Sequence, residues 1–231
     1  MRFGSLFTGI GGLDLGLERA GMECAWQVEI DPYCRAVLEK HWPGVPRWDD
    51  VKTFTGEGFE PVDLICGGFP CQPHSSASHG RRLGTADSRW LWPDMRRIVR
   101  FAKPTWVVAE NVPHLDGPAL KQVVSDLEED LYEVGILEVP ACAFGFTHRR
   151  NRYWICGYSD SNSEPRFPIN AEMAGLSRPR HRNTGEVGAT YGVSSRMDRL
   201  AALGNAVVPQ VAEAIGRAIM TADSLVPVEE P

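Results

Sequence analysis

No run of apolar residues in this 231-residue chain approaches the roughly 20 needed to cross a bilayer. The opening residues, Met1-Arg2-Phe3-Gly4-Ser5, pass straight into a strand pattern without the apolar segment of a secretory signal, so a cytoplasmic location is expected. The six cysteines (Cys24, Cys34, Cys66, Cys71, Cys142 and Cys156) lack metal-ligand spacing, and no metal is expected. Four of them, Cys24, Cys66, Cys142 and Cys156, lie in apolar, strand-like runs, which favours reduced thiols over a disulfide framework. An excess of positive charge is also missing. The net charge of −6 argues against a protein that coats nucleic acid.

That average conceals alternating blocks. From His74 to Lys103 there are seven Lys/Arg against Asp87 and Asp94, and from His148 to Arg199 nine Arg against five acids. Asp116 to Glu138 carries seven acids and one Lys. The pattern implies a polar molecule with one positive face, suited to a polyanion held in a cleft. Solvated helix faces explain Arg96–Arg100 and Glu128–Asp130 equally well.

With 43% hydrophobic residues the chain reads as one globular α/β domain with a small appendage. Strands are expected at Arg2–Thr8, Cys24–Ile30, Val62–Cys66, Thr105–Ala109, Gly135–Pro140 and Arg152–Gly157. Helices are expected from Leu13 to a stop at Gly21, from Asp31 (cap) and Pro32 to His41, and over Trp90–Ala102, Ala119–Leu131 and Ala206–Met220. Regular alternation of strand and helix implies a doubly wound, mostly parallel sheet. That order stops at Tyr158. Ser159 to Arg196 is rich in Ser, Pro, Gly, Asn and Arg and too poor in apolar residues to bury much core. The expected division is therefore a core at 1–158, an irregular segment at 159–196, a return to the core at 197–221 and a tail at 222–231.

The densest chemical signal is Gly67-Gly68-Phe69-Pro70-Cys71-Gln72-Pro73, directly after the apolar run Val62–Cys66. A buried strand ending in such a turn delivers its next side chain to the carboxyl edge of a sheet, where open α/β folds bind ligands. The prolines restrict the backbone and hold the thiol of Cys71 in place. The turn suggests a nucleophile; a small apolar residue in a turn is the plainer reading.

Other pieces share this strand-end position. Phe7-Thr8-Gly9-Ile10-Gly11-Gly12 closes the first strand and opens a helix, with glycines that permit a tight turn and close backbone approach. Glu29 ends the second strand twenty residues after Gly9, where an acid accepts from both ribose hydroxyls of an adenosine cofactor. Asp50, before Val51, is placed to meet an adenine amino group, or is an ordinary polar turn. Glu110 follows the apolar Thr105–Ala109, where desolvation raises a carboxylate's affinity for its proton; a structural acid paired with an Arg is the alternative. In His148-Arg149-Arg150-Asn151-Arg152 the alternation puts Arg150 and Arg152 on one face, with forks suited to a phosphate or an anionic site group, and Arg149 on the other. Leu203-Gly204-Asn205-Ala206-Val207-Val208-Pro209 reads alone as an N-cap with Pro in the first turn.

Together and in order, these pieces resemble the DNA (cytosine-5)-methyltransferases. Phe7-Thr8-Gly9-Ile10-Gly11-Gly12, Glu29, Asp50-Val51, Pro70-Cys71-Gln72, Glu110-Asn111-Val112, Arg150-Asn151-Arg152 and Gly204-Asn205-Ala206-Val207 cover Leu6 to about Ala218, apart from Tyr158–Arg196. The compact ending Arg199–Gln210 is most similar to the small phage- or prophage-borne members. The resemblance implies a Rossmann-like methyltransferase fold and transfer of a methyl group from S-adenosylmethionine to carbon 5 of a flipped cytosine. It implies Cys71 as the nucleophile that adds to carbon 6, Glu110 at ring nitrogen 3, Arg150 on the carbonyl oxygen, and Arg152 supporting Glu110 or a phosphate. The cofactor would lie against Phe7, Thr8, Gly9, Ile10, Gly11, Gly12, Glu29, Ile30, Asp50, Val51, Gly68, Pro70, Asn205, Ala206 and Val207. Double-stranded DNA would meet Gln72, Ser75, His79, Arg81 and Arg82 of the 72–88 loop, and Arg166, Arg178, Arg180 and Arg182. A monomer is expected, with a cognate restriction endonuclease as a further partner, in the cytoplasm of a bacterial cell or phage-infected host.

Three departures stand out. Ser5 occupies a position where the family commonly has Asp, and His148 one where Gln is common. Ser159–Arg196 is far shorter than an ordinary target-recognition region, so its arginines are expected to contact phosphates with little choice of sequence. Two other readings follow: a tRNA cytosine-5 methyltransferase, or a catalytically poor, partner-dependent DNA-binding remnant. Amino-methylating enzymes are disfavoured because no Asp/Asn-Pro-Pro-aromatic motif is present.

Overall fold

The computed structural model describes residues 1–70, 90–113, 115, 117–144, 151–159 and 206–224. Its elements follow the alternation of the sequence: β1 (Arg2–Leu6), α1 (Gly12–Arg19), β2 (Glu23–Val28), α2 (Pro32–His41), β3 (Arg47–Trp48), β4 (Leu64–Gly67), α3 (Trp92–Ala102), β5 (Trp106–Asn111), α4 (Gly117–Glu129), β6 (Glu133–Pro140), a 3₁₀ turn (Ala141–Phe144), β7 (Asn151–Tyr158) and α5 (Pro209–Ser224). The seven strands form one sheet in the order β3-β2-β1-β4-β5-β7-β6. β1, β2, β3, β4 and β5 pair in parallel, while β7 lies antiparallel between β5 and β6. The mixed, mostly parallel sheet is thus the α/β, Rossmann-like architecture that the alternation predicts.

Both faces of the sheet are covered, which explains why its central strands read as continuous apolar runs. On one face Val28, Ile65 and Val107 pack against Trp92, Met95 and Ile98 of α3 and Val123 and Leu127 of α4. On the other, Phe3, Cys66, Val108 and Cys156 pack against Leu13 and Leu17 of α1 and Val211, Ile215 and Ile219 of α5. Each of these large aliphatic side chains contributes about 1.5–3 kcal/mol by leaving water. α1 and α5 approach closely because glycine faces the contact. A Cβ at Gly16 would overlap Ala212 and lie 2.5 Å from the Pro209 carbonyl, and one at Gly12 would lie 2.5 Å from the Val207 carbonyl. The segment from Val207 to Glu213 is thereby drawn against α1.

Several boundaries differ from the sequence pattern. β5 continues through Glu110 and Asn111, because both pair with β7 (opposite Trp154 and Tyr153) where the pattern ends the strand at Ala109. β3 shows no alternation and forms only by pairing with Gln27 and Val28. α5 starts at Pro209, whose missing N–H suits a first helical position. Cys142 sits in the 3₁₀ turn and not in a strand. Among the described residues no helix is long and apolar enough to cross a membrane. The irregular segment expected at 159–196 lies outside the described residues, apart from Ser159.

Candidate active site

The described motif residues (the 7–12 turn, Glu29 and Ile30, the Asp50–Val51 turn, Gly68, Pro70, Glu110 and Arg152) lie at one edge of the sheet. Parallel strands β1, β2, β3, β4 and β5 end there, and the antiparallel β7 begins there. Open α/β sheets bind ligands at this edge because loops diverge to either face and leave a crevice.

After β1 the chain turns through Phe7, Gly9 and Gly11, all with positive φ (52°, 59° and 80°). Gly11 is also the N-cap of α1, and no side chain supplies a capping bond. Thr8 fixes the turn from beneath: its hydroxyl lies within hydrogen-bond reach of the Ser5 and Val28 carbonyls, each at 3.2 Å, and of the Ser5 hydroxyl at 3.1 Å. Asp31 caps α2, accepting from the Tyr33 and Cys34 amides at 2.8 and 3.0 Å, so the loop after β2 is equally well defined.

Glu29 sits between these two turns with 8% exposure. Its Oε2 accepts the Gly9 amide at 2.6 Å and its Oε1 the Asp31 amide at 2.8 Å. A carboxylate has about four acceptor sites, so two backbone bonds orient it and leave capacity for two further donors. Beside it Ile30 is 66% exposed, an apolar surface at the mouth of a polar turn. The backbone carbonyl of Asp50 closes a turn on Thr53 and Phe54, and its side chain accepts the Lys52 amide at 2.9 Å. Arg97 of α3 clamps this turn, donating to the carbonyls of Val51 and Phe54 at 2.7 Å each. A pinned acceptor pair, an exposed aliphatic side chain and a glycine turn at a helix N-terminus fit an adenosine-type cofactor.

At the end of β5, Glu110 is 8% exposed and forms an ion pair with Arg152 of β7 (Nε to Oε1, 2.7 Å). The Arg152 Nη1 also donates to the Asn151 carbonyl at 2.8 Å, which locks its fork. Gly68 makes room for this carboxylate: a Cβ there would stand 3.0 Å from Oε2. Asn111 donates from Nδ2 to the Phe69 carbonyl at 3.0 Å, and Phe69 is wedged against Trp90 and Trp92 at 5.5 and 5.4 Å. The backbone entering position 71 is therefore fixed relative to Glu110. Val207 and Val208 share a small cavity with Arg152 and Trp154, which brings the approach to α5 to the same edge.

Cys71, Gln72, Ser75, His79, Arg81, Arg82, Arg150, Arg166, Arg178, Arg180, Arg182 and Asn205 lie outside the described residues. The described cysteines nonetheless narrow the choice of nucleophile. Burial pushes the thiols of Cys34 and Cys156 up to about 12 and those of Cys24 and Cys66 well above their ordinary value. Thiols held protonated in this way are inert.

Two contributors escape sequence reasoning. Arg97 looks like any exposed helix arginine, and its neighbour Arg96 is engaged by Asp126, Glu129 and Asp130. The basic block at 96–97 therefore holds the molecule together. The second is Asp14, fully buried in α1, whose Oδ1 accepts the Ser5 hydroxyl at 2.6 Å. Ser5 stands where the resemblance places an acid, and this contact restores a carboxylate to that spot from the neighbouring helix. A cleft of about 530 Å³ lined by Trp90, Trp92, Arg96, Arg97, Arg100 and Asp126 opens on the α3–α4 face; its arginines are held largely by the contacts just described.

Comparison with known proteins agrees with this geometry. Residues 1–187 match the family described as C-5 cytosine-specific DNA methylase. Type II methyltransferase M.HhaI of Haemophilus parahaemolyticus is 36% identical over 180 residues, covering 75% of this chain and 54% of its own length. Type II methyltransferase M2.BsuMI of Bacillus subtilis (strain 168) is 35% identical over 184 residues, covering 71% and 46%. A solved structure described as a prophage-encoded DNA modification methyltransferase of E. coli superposes with a TM-score of 0.57 at 26% identity, covering 69% of this chain and 47% of that one. The S. pombe Dnmt2 methyltransferase, at 18% identity and a TM-score of 0.58, shares the fold over 71% of this chain and 52% of its own. The chain thus spans about half the length of the relatives it matches. With the ordered motifs, the pinned Glu29 and the Glu110–Arg152 pair at one sheet edge, it belongs to the C-5 cytosine-specific DNA methylase family.

Proposed function

We propose that the protein is a DNA (cytosine-5)-methyltransferase that uses S-adenosylmethionine and acts on a cytosine flipped out of double-stranded DNA. The observation that carries this reading is the buried Glu110 carboxylate, held by Arg152 over Gly68, two residues before the fixed Pro70 and three before Cys71. S-adenosylmethionine supplies an electrophilic methyl group. Glu29 would accept from its ribose, Ile30 and the Asp50–Val51 turn would face its adenine, and the 7–12 turn with Asn205, Ala206 and Val207 would hold its amino-acid end.

Carbon 5 of cytosine is too weak a nucleophile to be methylated directly. The Cys71 thiolate adds to carbon 6, forming a C–S bond and pushing electron density toward carbon 5 and ring nitrogen 3. Glu110 holds a proton at nitrogen 3, which stabilises that charge, and Arg152 fixes the carboxylate's orientation. After carbon 5 is methylated its proton leaves to a base, the C–S bond breaks, and Cys71 departs as thiolate, restoring the aromatic ring. Arg150 would bind the carbonyl oxygen, and the arginines of the 72–88 and 159–196 segments would contact phosphates. The division into core, recognition segment and returning helix, a monomeric state, a bacterial cytoplasmic setting and pairing with a restriction endonuclease complete this reading.

The test is a 5-fluorocytosine duplex. Wild type should be trapped covalently, because fluorine cannot leave as a proton does, and bisulfite sequencing of host DNA should reveal methylated cytosine. Cys71→Ala should abolish both while keeping S-adenosylmethionine binding. Substantial methylation by Cys71→Ala would refute the mechanism.

A further inference from the structure

Asp14 presents a physical problem. It is fully buried in the first turn of α1, and its hydrogen-bond partners among the described residues are all neutral. Ser5 Oγ donates to Oδ1 at 2.6 Å, Gln27 Nε2 to Oδ2 at 2.7 Å, and Cys24 Sγ approaches Oδ2 at 3.7 Å. Every partner is a donor, which is the arrangement an ionised carboxylate requires and a protonated one cannot use fully. An amide there would avoid burying a charge but would set its own N–H groups against the Gln27 donor.

The network runs directly to the site. Arg47 Nε donates to Gln27 Oε1 at 2.9 Å, Gln27 to Asp14, and Ser5 to Asp14. Ser5 Oγ accepts Thr8 Oγ1 at 3.1 Å, and the Thr8 carbonyl accepts the Gly11 amide at 3.1 Å. One relay therefore joins β3, β2, α1 and β1 to the glycine turn. If Asp14 takes a proton on Oδ1, the Ser5 hydroxyl changes from donor to acceptor toward it, and its own proton must find another acceptor, which disturbs the contacts with Thr8 and Cys66. A second effect is electrostatic. The N-terminus of α1 carries roughly half a positive charge, which disfavours a cation. S-adenosylmethionine is cationic at sulfur. A negative charge within the first turn offsets that end of the helix.

We infer that Asp14 is a positioning residue for the methyl donor: through Ser5 and Thr8 it shapes the 7–12 turn, and its negative charge makes the start of α1 tolerant of a sulfonium. The inference rests on the cofactor assigned above. Burial moves the Asp14 carboxyl up to about 6, so the charge is lost over an accessible pH range. The groups facing it are Glu18 of α1, which Trp42 beyond α2 engages at 2.7 Å, Cys24 of β2 and Cys66 of β4. α5 contributes the backbone near Gly16 and Glu213, which is paired with Arg217. Neither thiol titrates below pH 8, since burial raises both.

The experiment measures binding alone, by calorimetry between pH 5.2 and 7.5, with S-adenosylmethionine and with S-adenosylhomocysteine, which lacks the sulfonium. For wild type, S-adenosylmethionine should weaken about tenfold toward pH 5.2, while S-adenosylhomocysteine should change far less. Asp14→Asn should bind S-adenosylmethionine about tenfold more weakly at pH 7.5 and lose the pH profile. Ser5→Ala should weaken both ligands and move the S-adenosylmethionine profile to higher pH, because it removes a donor that favours the Asp14 carboxylate. A flat wild-type profile, or Asp14→Asn retaining the wild-type affinity and profile, overturns the inference. The wild-type comparison stands even if Asp14→Asn does not fold. Failure of wild type to bind either ligand would overturn the assigned cofactor as well, which separates the two failures.

Discussion

Replacing Arg152 by Met tests whether the Glu110–Arg152 pair is a working part of the site or an incidental surface contact. The two side chains are 21% and 11% exposed, and the Arg152 Nε lies 2.7 Å from Glu110 Oε1. Removing one partner of a fully buried pair costs about 3–5 kcal/mol, and an exposed pair is worth about 0–1. This pair lies nearer the buried limit, so Arg152→Met should cost about 2–3 kcal/mol. Most of that loss comes from leaving a desolvated carboxylate beside a methyl group. Glu110→Gln in the same chain removes the charge, and the double variant should regain at least about 1 kcal/mol. Urea unfolding of wild type, both single variants and the double variant at pH 7.5 yields the coupling. A loss of 2 kcal/mol also lowers the melting temperature by about 4–8 °C in a domain of this size. Strictly additive losses would refute the reasoning, because they would mean that water already screens the pair. Cofactor affinity should stay within about twofold in all four proteins, since Glu29 and the 7–12 turn are untouched.

Glu29→Ala removes the acceptor of the Gly9 and Asp31 amides as well as that of the ribose. Cofactor binding should weaken about 10–100-fold by calorimetry, with the apo protein less stable by about 1–3 kcal/mol. A variant that binds normally but turns over slowly would reassign the residue. Gly16→Val places methyl groups against Ala212 and the Pro209 carbonyl, and should lower stability in urea by about 1–3 kcal/mol or more. Unchanged unfolding would show that α1 and α5 do not meet so closely in solution.

The parts of this protein readable in one dimension are those made by neighbouring residues. Strand, turn and helix start lie within a dozen positions at Arg2–Leu13, and Glu29 follows one apolar strand; local sterics and hydrophobic period suffice for both. Tertiary pairing decided the rest. That Glu110 meets Arg152, 42 positions away, depends on β7 inserting antiparallel between β5 and β6, where pairing carries the strand past Ala109. The sequence alternation puts Arg152 on a face, and the resemblance leaves its partner open between Glu110 and a phosphate; the strand pairing brings it to Glu110. Likewise Arg97 gains its role only when α3 crosses the 51–54 turn, and its charge pattern is that of a solvated helix.

Asp14 shows the limit most clearly. By itself it reads as a favourable acid in a helix's first turn. Burial and the three donors from β1 and β2 turn it into a desolvated charge tied to the 7–12 turn. The chemical identity of the site was written in the order of short motifs, because catalysis needs particular side chains at particular strand ends. Which charges are desolvated, and by what they are held, depended on residues far apart in sequence arriving within 3 Å of one another. Only the folded sheet brings them together.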